Sequence, residues 1–186
     1  MFNIGDKVVY PMHGAGTIED IQEKEMFGNF EEYYIIKMPV GGMKLMIPKS
    51  KVENIGVREV SEKEFSEKVF EVLSKPKDPY VHDSNWSRRY NCNVEKIKTG
   101  KILDVAEVVR ELAHRHTERG LSIGEKKMLN TAKTILLSEL VLSQDMSHDV
   151  IDQKIDIIIQ ESYEAGLEFT VENNIEESDI GNVTNL

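Results

Sequence analysis

The chain has 186 residues, 40% hydrophobic and 30% charged, with 23 Lys and Arg against 33 Asp and Glu, a formal net charge of -10 and a single cysteine. That length supports one medium domain or two small ones, and the composition is that of a soluble folded protein. A lone Cys92 excludes an internal disulfide and any multi-cysteine metal site. No apolar run approaches the ~20 residues that span a bilayer, and MFNIGDK lacks the apolar core of a signal peptide, so a cytoplasmic protein with no membrane partner is expected.

The charge is unevenly placed. Residues 1–85 hold 11 Lys and Arg against 15 acids, residues 86–133 hold 11 against 6, and residues 134–186 hold 1 against 12. Phosphate binding draws on local positive potential, so only the middle block is a candidate for facing nucleic acid. The overall pI near 5.1 conceals it.

Residues 1–58 read as short strands punctuated by Gly and Pro. Asp6 to Tyr10 leads into the turn PMHGAG; Thr17 to Gln22 and Glu32 to Met38 flank an FGN turn; Met43 to Ile47 follows the turn Pro39 to Gly42. In the last strand Met43, Leu45 and Ile47 share one face and Lys44 and Met46 the other. Pro48 cannot donate to a ladder, which predicts an edge position. Such strands suit a small SH3-like or Tudor-like barrel. His13 has no nucleophile or carboxylate placed to complete a triad, and GAG lacks the Lys-Ser/Thr ending of a phosphate loop. An exposed edge strand instead offers backbone groups that a partner protein can extend.

Ser61 to Glu64 has the capping-box pattern, and Phe65, Val69, Val72 and Leu73 make an apolar stripe, predicting a connecting helix over 61–74. Pro76 and Pro79 mark 75–84 as a loop. In the stretch SNWSRRYNCNVEKIK, Trp86, Tyr90, Val94 and Ile97 fall on one helical stripe, with Ser84 or Asn85 as N-cap and Gly100 past the end. Periodicity leaves Trp86 two fates: an indole in the first turn folds onto a core, or projects toward a partner. Arg88 and Arg89 flank it; Cys92 reads as a passive helix residue. Val105, Val108, Val109 and Leu112 predict the next helix, closed by Gly120. Ser122 to Glu125 is a second capping box, with Lys126 and Lys127 in the first turns of a helix burying Met128, Leu129, Ala132, Ile135, Leu136 and Leu140. A last helix runs from about Asp149 to Leu167 on Ile151, Ile155, Ile158 and Ile159. His114 and His116, two apart, point in different directions and do not suggest a metal site. From Phe169 the chain carries four acids, no bases and no sustained period, so a frayed or disordered acidic tail over 169–186 is expected. The class is therefore α+β: a barrel over 1–58, an all-α bundle of four to five helices within 59–168, and the tail.

Five segments in colinear order, GDKVVYPMHGAG, FEVL (70–73), SNWSRRYNCNVEKIK, AEVVREL (106–112) and ERGLSIGEKKML (118–129), resemble the CarD/CdnL family of bacterial transcription regulators over roughly residues 1–145. The resemblance implies that the N-terminal module, similar to one in the transcription-repair coupling factor, docks on the RNA polymerase β subunit. Lys24, Lys44, Met46 and Ile47 would serve that contact. Some members have arginine where Lys24 and Met46 stand, so Met46 exchanges a charged contact for an apolar one. It implies, too, that Trp86 inserts into the minor groove at the upstream edge of the melted promoter and stabilises the open complex. Arg88, Arg89, Asn91, Lys96, Lys126 and Lys127 would hold the DNA backbone, Asn91 replacing a basic residue of some relatives. A monomeric, non-enzymatic regulator without cofactor or small-molecule substrate is expected. The alternative is a protein-only adaptor whose helical domain binds another helix and no DNA.

Overall fold

Side-chain alternation builds the N-terminal half. β1 (Lys7–Tyr10), β2 (Gly14–Met26), β3 (Asn29–Lys37), β4 (Lys44–Pro48) and β5 (Arg58–Glu59) pair antiparallel in the order β4-β3-β2-β1-β5. This is a computed structural model describing residues 1–26, 28–77 and 85–181, excepting the side chains of 26 and 169–181. Val8, Ile18, Tyr34, Ile36 and Ile47 point inward and, with Met38 and Val52, form the core of this Tudor-like module. β4 lies at the sheet's edge, as Pro48 predicts. A 3-10 turn (Lys49–Lys51) and the short α1 (Val52–Ile55) carry the chain to β5. β5 takes the sheet one residue past the expected boundary at 58.

The GAG of PMHGAG is strand, not turn. A Cβ on Gly14 would strike the Ser138 side chain, and one on Gly16 would meet Ile36 and the Lys37 carbonyl. Glycine lets β2 pass against both neighbours at once.

Five helices follow: α2 (Lys63–Leu73), α3 (Trp86–Lys98), α4 (Ile102–Arg119), α5 (Ile123–Gln144) and α6 (His148–Gly181). Val69, Val72 and Leu73 of α2 enter the same core as Ile97, Val105, Val109, Leu112, Leu136, Leu140, Ile151 and Ile155. The connecting helix is thus itself a member of the bundle. Asn85 caps α3 by accepting from the Arg88 N–H, and the Ser122–Glu125 capping box is formed in both directions. Ser61 behaves differently. α2 starts at Lys63 without a side-chain cap, and the Ser61 hydroxyl and N–H donate instead to Glu139 at 2.7 and 3.1 Å. A buried carboxylate on α5 outbids the local capping pattern. α6 continues to Gly181, beyond Leu167, where a frayed tail was expected; no Pro or Gly interrupts 167–180, so nothing local stops the helix. Residues 182–186 of that tail, and Pro79 and Ser84 of the 75–84 loop, lie outside the described residues.

The two modules share a joint along α5. Arg58 of β5 meets both carboxylate oxygens of Glu139 at 2.8 Å and donates to the Gly100 carbonyl between α3 and α4. The Ala15 N–H donates to the Ser138 hydroxyl at 2.7 Å, and Lys7 Nζ donates to the Leu142 carbonyl. Buried His114 bonds Ser162 at 2.7 Å and stands beside the Tyr163 ring; among the described residues no group of three or more His, Cys, Asp or Glu could hold a metal. No described helix is long and apolar enough to cross a membrane.

Candidate functional site

The stripe on α3 climbs out of the core toward its N-terminus. Ile97 is buried, Val94 and Tyr90 are partly buried, and Trp86 is 48% exposed. Of the two fates open to the indole, projection is the one taken. The ring is nonetheless held. Its plane stacks on Tyr90 with centroids 5.1 Å apart, and Nε1 donates to Ser122 Oγ at 3.3 Å.

Ser122 is the N-cap of α5, so the N-termini of α3 and α5 converge at the indole. Glu125, 3% exposed, ties the two ends together. Arg89 Nη2 and Nε donate to Oε1 at 2.7 and 3.1 Å, the Ser122 hydroxyl donates to Oε2 at 2.8 Å, and Arg115 Nε lies 3.7 Å from Oε1. Burial pushes the Glu125 carboxyl up, but the bonds from Arg89 and Ser122 outweigh it and hold the group below the usual carboxylate range. A relay therefore runs Arg89, Glu125, Ser122, Trp86. It fixes an aromatic ring at a surface where two helix dipoles present their positive ends.

Of the seven residues expected to meet DNA, the structure gathers four at this convergence: Trp86, Arg88, Lys126 and Lys127, all at the surface. Asn91 is also exposed, one turn along α3. Arg89 is engaged in the pair with Glu125, through which it braces the indole. Lys96 sits toward the other end of α3, bridging Glu107 and Glu111 at 3.1 Å each. Burial lowers its pKa, the two carboxylates raise it by more, and its charge is consumed within the fold. Sequence spacing counts cations but not their partners. Ser122, Glu125 and Arg115 were missed as parts of the site, the capping box being the local signal for the first two, and Tyr90 was placed on the Trp86 stripe but not read as the partner of the ring.

On the sheet, Met46 is 44% exposed at the β4 edge, its sulfur 3.4 Å from Lys24 Nζ, while Lys44 pairs with Glu19 at 2.6 Å. Exposed Met43 and Phe30 are further apolar surface of this module. Ile47 cannot present its side chain to a partner. It is 1% exposed, opposite Tyr34 in the register, because strand alternation turns it into the core.

Comparison with known proteins matches both modules. Residues 2–61 match the family model described as the CarD-like/TRCF RID domain, and residues 68–156 match that of the CarD C-terminal domain. YdeB of Bacillus subtilis (strain 168), by name a candidate transcription factor, is 42% identical over 140 residues, which cover 75% of this chain and 90% of that protein.

Proposed function

Because this chain belongs to the CarD family of transcription factors, we propose that it binds the RNA polymerase β subunit through its N-terminal sheet and promoter DNA through the convergence of α3 and α5. Trp86 acts as an apolar wedge in the minor groove at the upstream edge of the melted region, and no bond is made or broken. The observation that carries this reading is the half-exposed indole braced by Tyr90 and Ser122 on a cation-bearing surface. A wedge costs a few kcal/mol of unstacking, least where the duplex has already opened, so it favours the melted state selectively. A ligand shifts an equilibrium by its differential affinity, and about 1.4 kcal/mol multiplies the open-to-closed ratio tenfold.

Lys126, Lys127 and Arg88 supply phosphate contacts, which position the protein without reading sequence. So few cations on an acidic chain give weak, salt-sensitive affinity for DNA alone. The β4 edge, with Met46, Lys24 and Lys44, offers the polymerase a strand to extend and an apolar side chain to cover. Once anchored there, the helical module meets the promoter at an effective concentration that reaches the millimolar range, and weak contacts suffice.

The test is Trp86→Ala in an open-complex lifetime assay with polymerase. A half-exposed ring costs about 1–2 kcal/mol of stability when removed, against ~3–5 for a buried one, so the variant stays folded. Retained polymerase binding with a lifetime shortened about tenfold is expected. An unchanged lifetime in the folded variant rejects the wedge.

A further inference from the structure

The surface beside Trp86 carries a second apolar side chain. Ile123, the first residue of α5, is 89% exposed, more so than Trp86 itself. Its two chain neighbours are fixed against the aromatic pair. Ser122 accepts the indole N–H at 3.3 Å, and a Cβ on Gly124 would stand 3.5 Å from Tyr90 Cε2. Residue 123 is therefore held next to the Trp86–Tyr90 stack while its own side chain stands clear in solvent. A large β-branched side chain left in water at a helix start contributes nothing to folding, and apolar surface of that kind is stabilised only by removal from water.

We infer that Ile123 is a second DNA-contacting tip, resting on the base step that Trp86 opens. This rests on the wedge reading above and names a residue that the reading does not require. The charge around it selects the occupant. Lys126 and Lys127 lie at the surface within a turn of Ile123, the N-termini of α3 and α5 both point here, and among the described residues the buried carboxylate at the convergence, Glu125, is neutralised by Arg89 and Arg115. An apolar prong ringed by positive potential fits a polyanion with exposed base faces, namely an unstacked step at a duplex junction. The short reach of isoleucine relative to tryptophan suits it to cover the sugar and base edge beside the gap and leaves the gap itself to the indole.

The experiment compares Ile123→Ser, Ile123→Leu and Trp86→Ala in the full-length chain, measuring open-complex lifetime with polymerase and, separately, affinity for polymerase without DNA. Ile123→Ser is expected to shorten the lifetime about fivefold, with Ile123→Leu restoring most of it and the melting temperature unchanged, because the side chain is not part of the core. A lifetime equal to wild type for Ile123→Ser, with Trp86→Ala still defective, overturns the second tip and leaves the wedge standing. Unchanged lifetimes for both overturn the wedge and the tip together. Loss of polymerase affinity without DNA for Ile123→Ser overturns the assignment to DNA in favour of a protein contact.

Discussion

Helix α5 carries two buried carboxylates about four turns, or ~21 Å, apart, and they do different work. Glu139 receives Arg58 from the sheet, backs onto Ser61 and shares Arg58 with the Gly100 carbonyl; it is a joint between modules. Glu125 receives Arg89 and Arg115 from neighbouring helices and, through Ser122, steadies a ring that stays in solvent. The first is closed over; the second braces something left open. A buried acid with an arginine partner is thus no sign of function in itself. What distinguishes the two is the group at the far end of the hydrogen-bond chain.

The comparison breaks most visibly at Glu139. Glu139→Ala leaves the Ser61 N–H without its acceptor and the Arg58 charge without its carboxylate, with only backbone carbonyls remaining to it, and should cost about 3 kcal/mol, read as a fall in melting temperature, with the sheet and bundle losing cooperativity in calorimetry. Glu125→Ala should cost less, about 2 kcal/mol, since half of the capping box and the pairs with Arg89 and Arg115 are lost at a helix end. Its signature is local: Trp86 fluorescence should lose anisotropy and become more accessible to a soluble quencher, and open-complex lifetime should fall although the indole is intact. Should Glu125→Ala leave the fluorescence unaltered, the relay is not what holds the ring.

Acid sharpens the contrast by loading a third buried site that belongs to neither. Burial, with the nearby Arg110 charge, pushes the His114 pKa from 6.5 down to about 4. The unfolded chain binds a proton there before the folded one does, so stability is full above pH 6.5 and drains as pH falls toward 4. The Glu125 carboxyl is held below its usual range and stays ionised over most of that window. Melting temperature should therefore decline from pH 6.5 downward while the Trp86 signal of the folded protein holds, and His114→Gln should flatten the decline. The smallest effect is expected at Lys96. Its bridges to Glu107 and Glu111 are at the surface, so Lys96→Ala should change stability by less than about 1 kcal/mol and leave the salt dependence of DNA binding unaltered.

The class of the fold was legible because its signals are local. Alternation gave Leu45 and Ile47 as the inward face of β4, although Met43, expected with them, lies outside the strand and is exposed, and Pro48 gave the edge position. Ser122–Glu125 and Gly120 gave the turn from α4 to α5. In two places where the structure departs from the local pattern, a distant residue had intervened. Ser61 and Ser122 open the same four-residue pattern, yet only Ser122 caps, since Glu139, 78 residues away, claims Ser61. Arg89 and Arg88 are adjacent and chemically identical, yet Arg89 is spent on Glu125. Ile47 was placed among the contact residues although its own alternation pointed inward. Trp86 lay on a stripe whose period says which residues share a face but not where along the helix that face emerges from its neighbours.

The close passage of Gly14 against Ser138, where a single methyl group would not fit, has a metrical consequence. With Ala15 bonded to the same hydroxyl and Arg58 held by Glu139, the seam between sheet and bundle is closely packed, so on the proposed reading the chain would act as a gauge of set span from polymerase surface to promoter fork. A fork displaced by one base pair, roughly 3.4 Å, would have to be accommodated by the DNA. Promoters would then be sorted by where their melting begins, with no base sequence read at all.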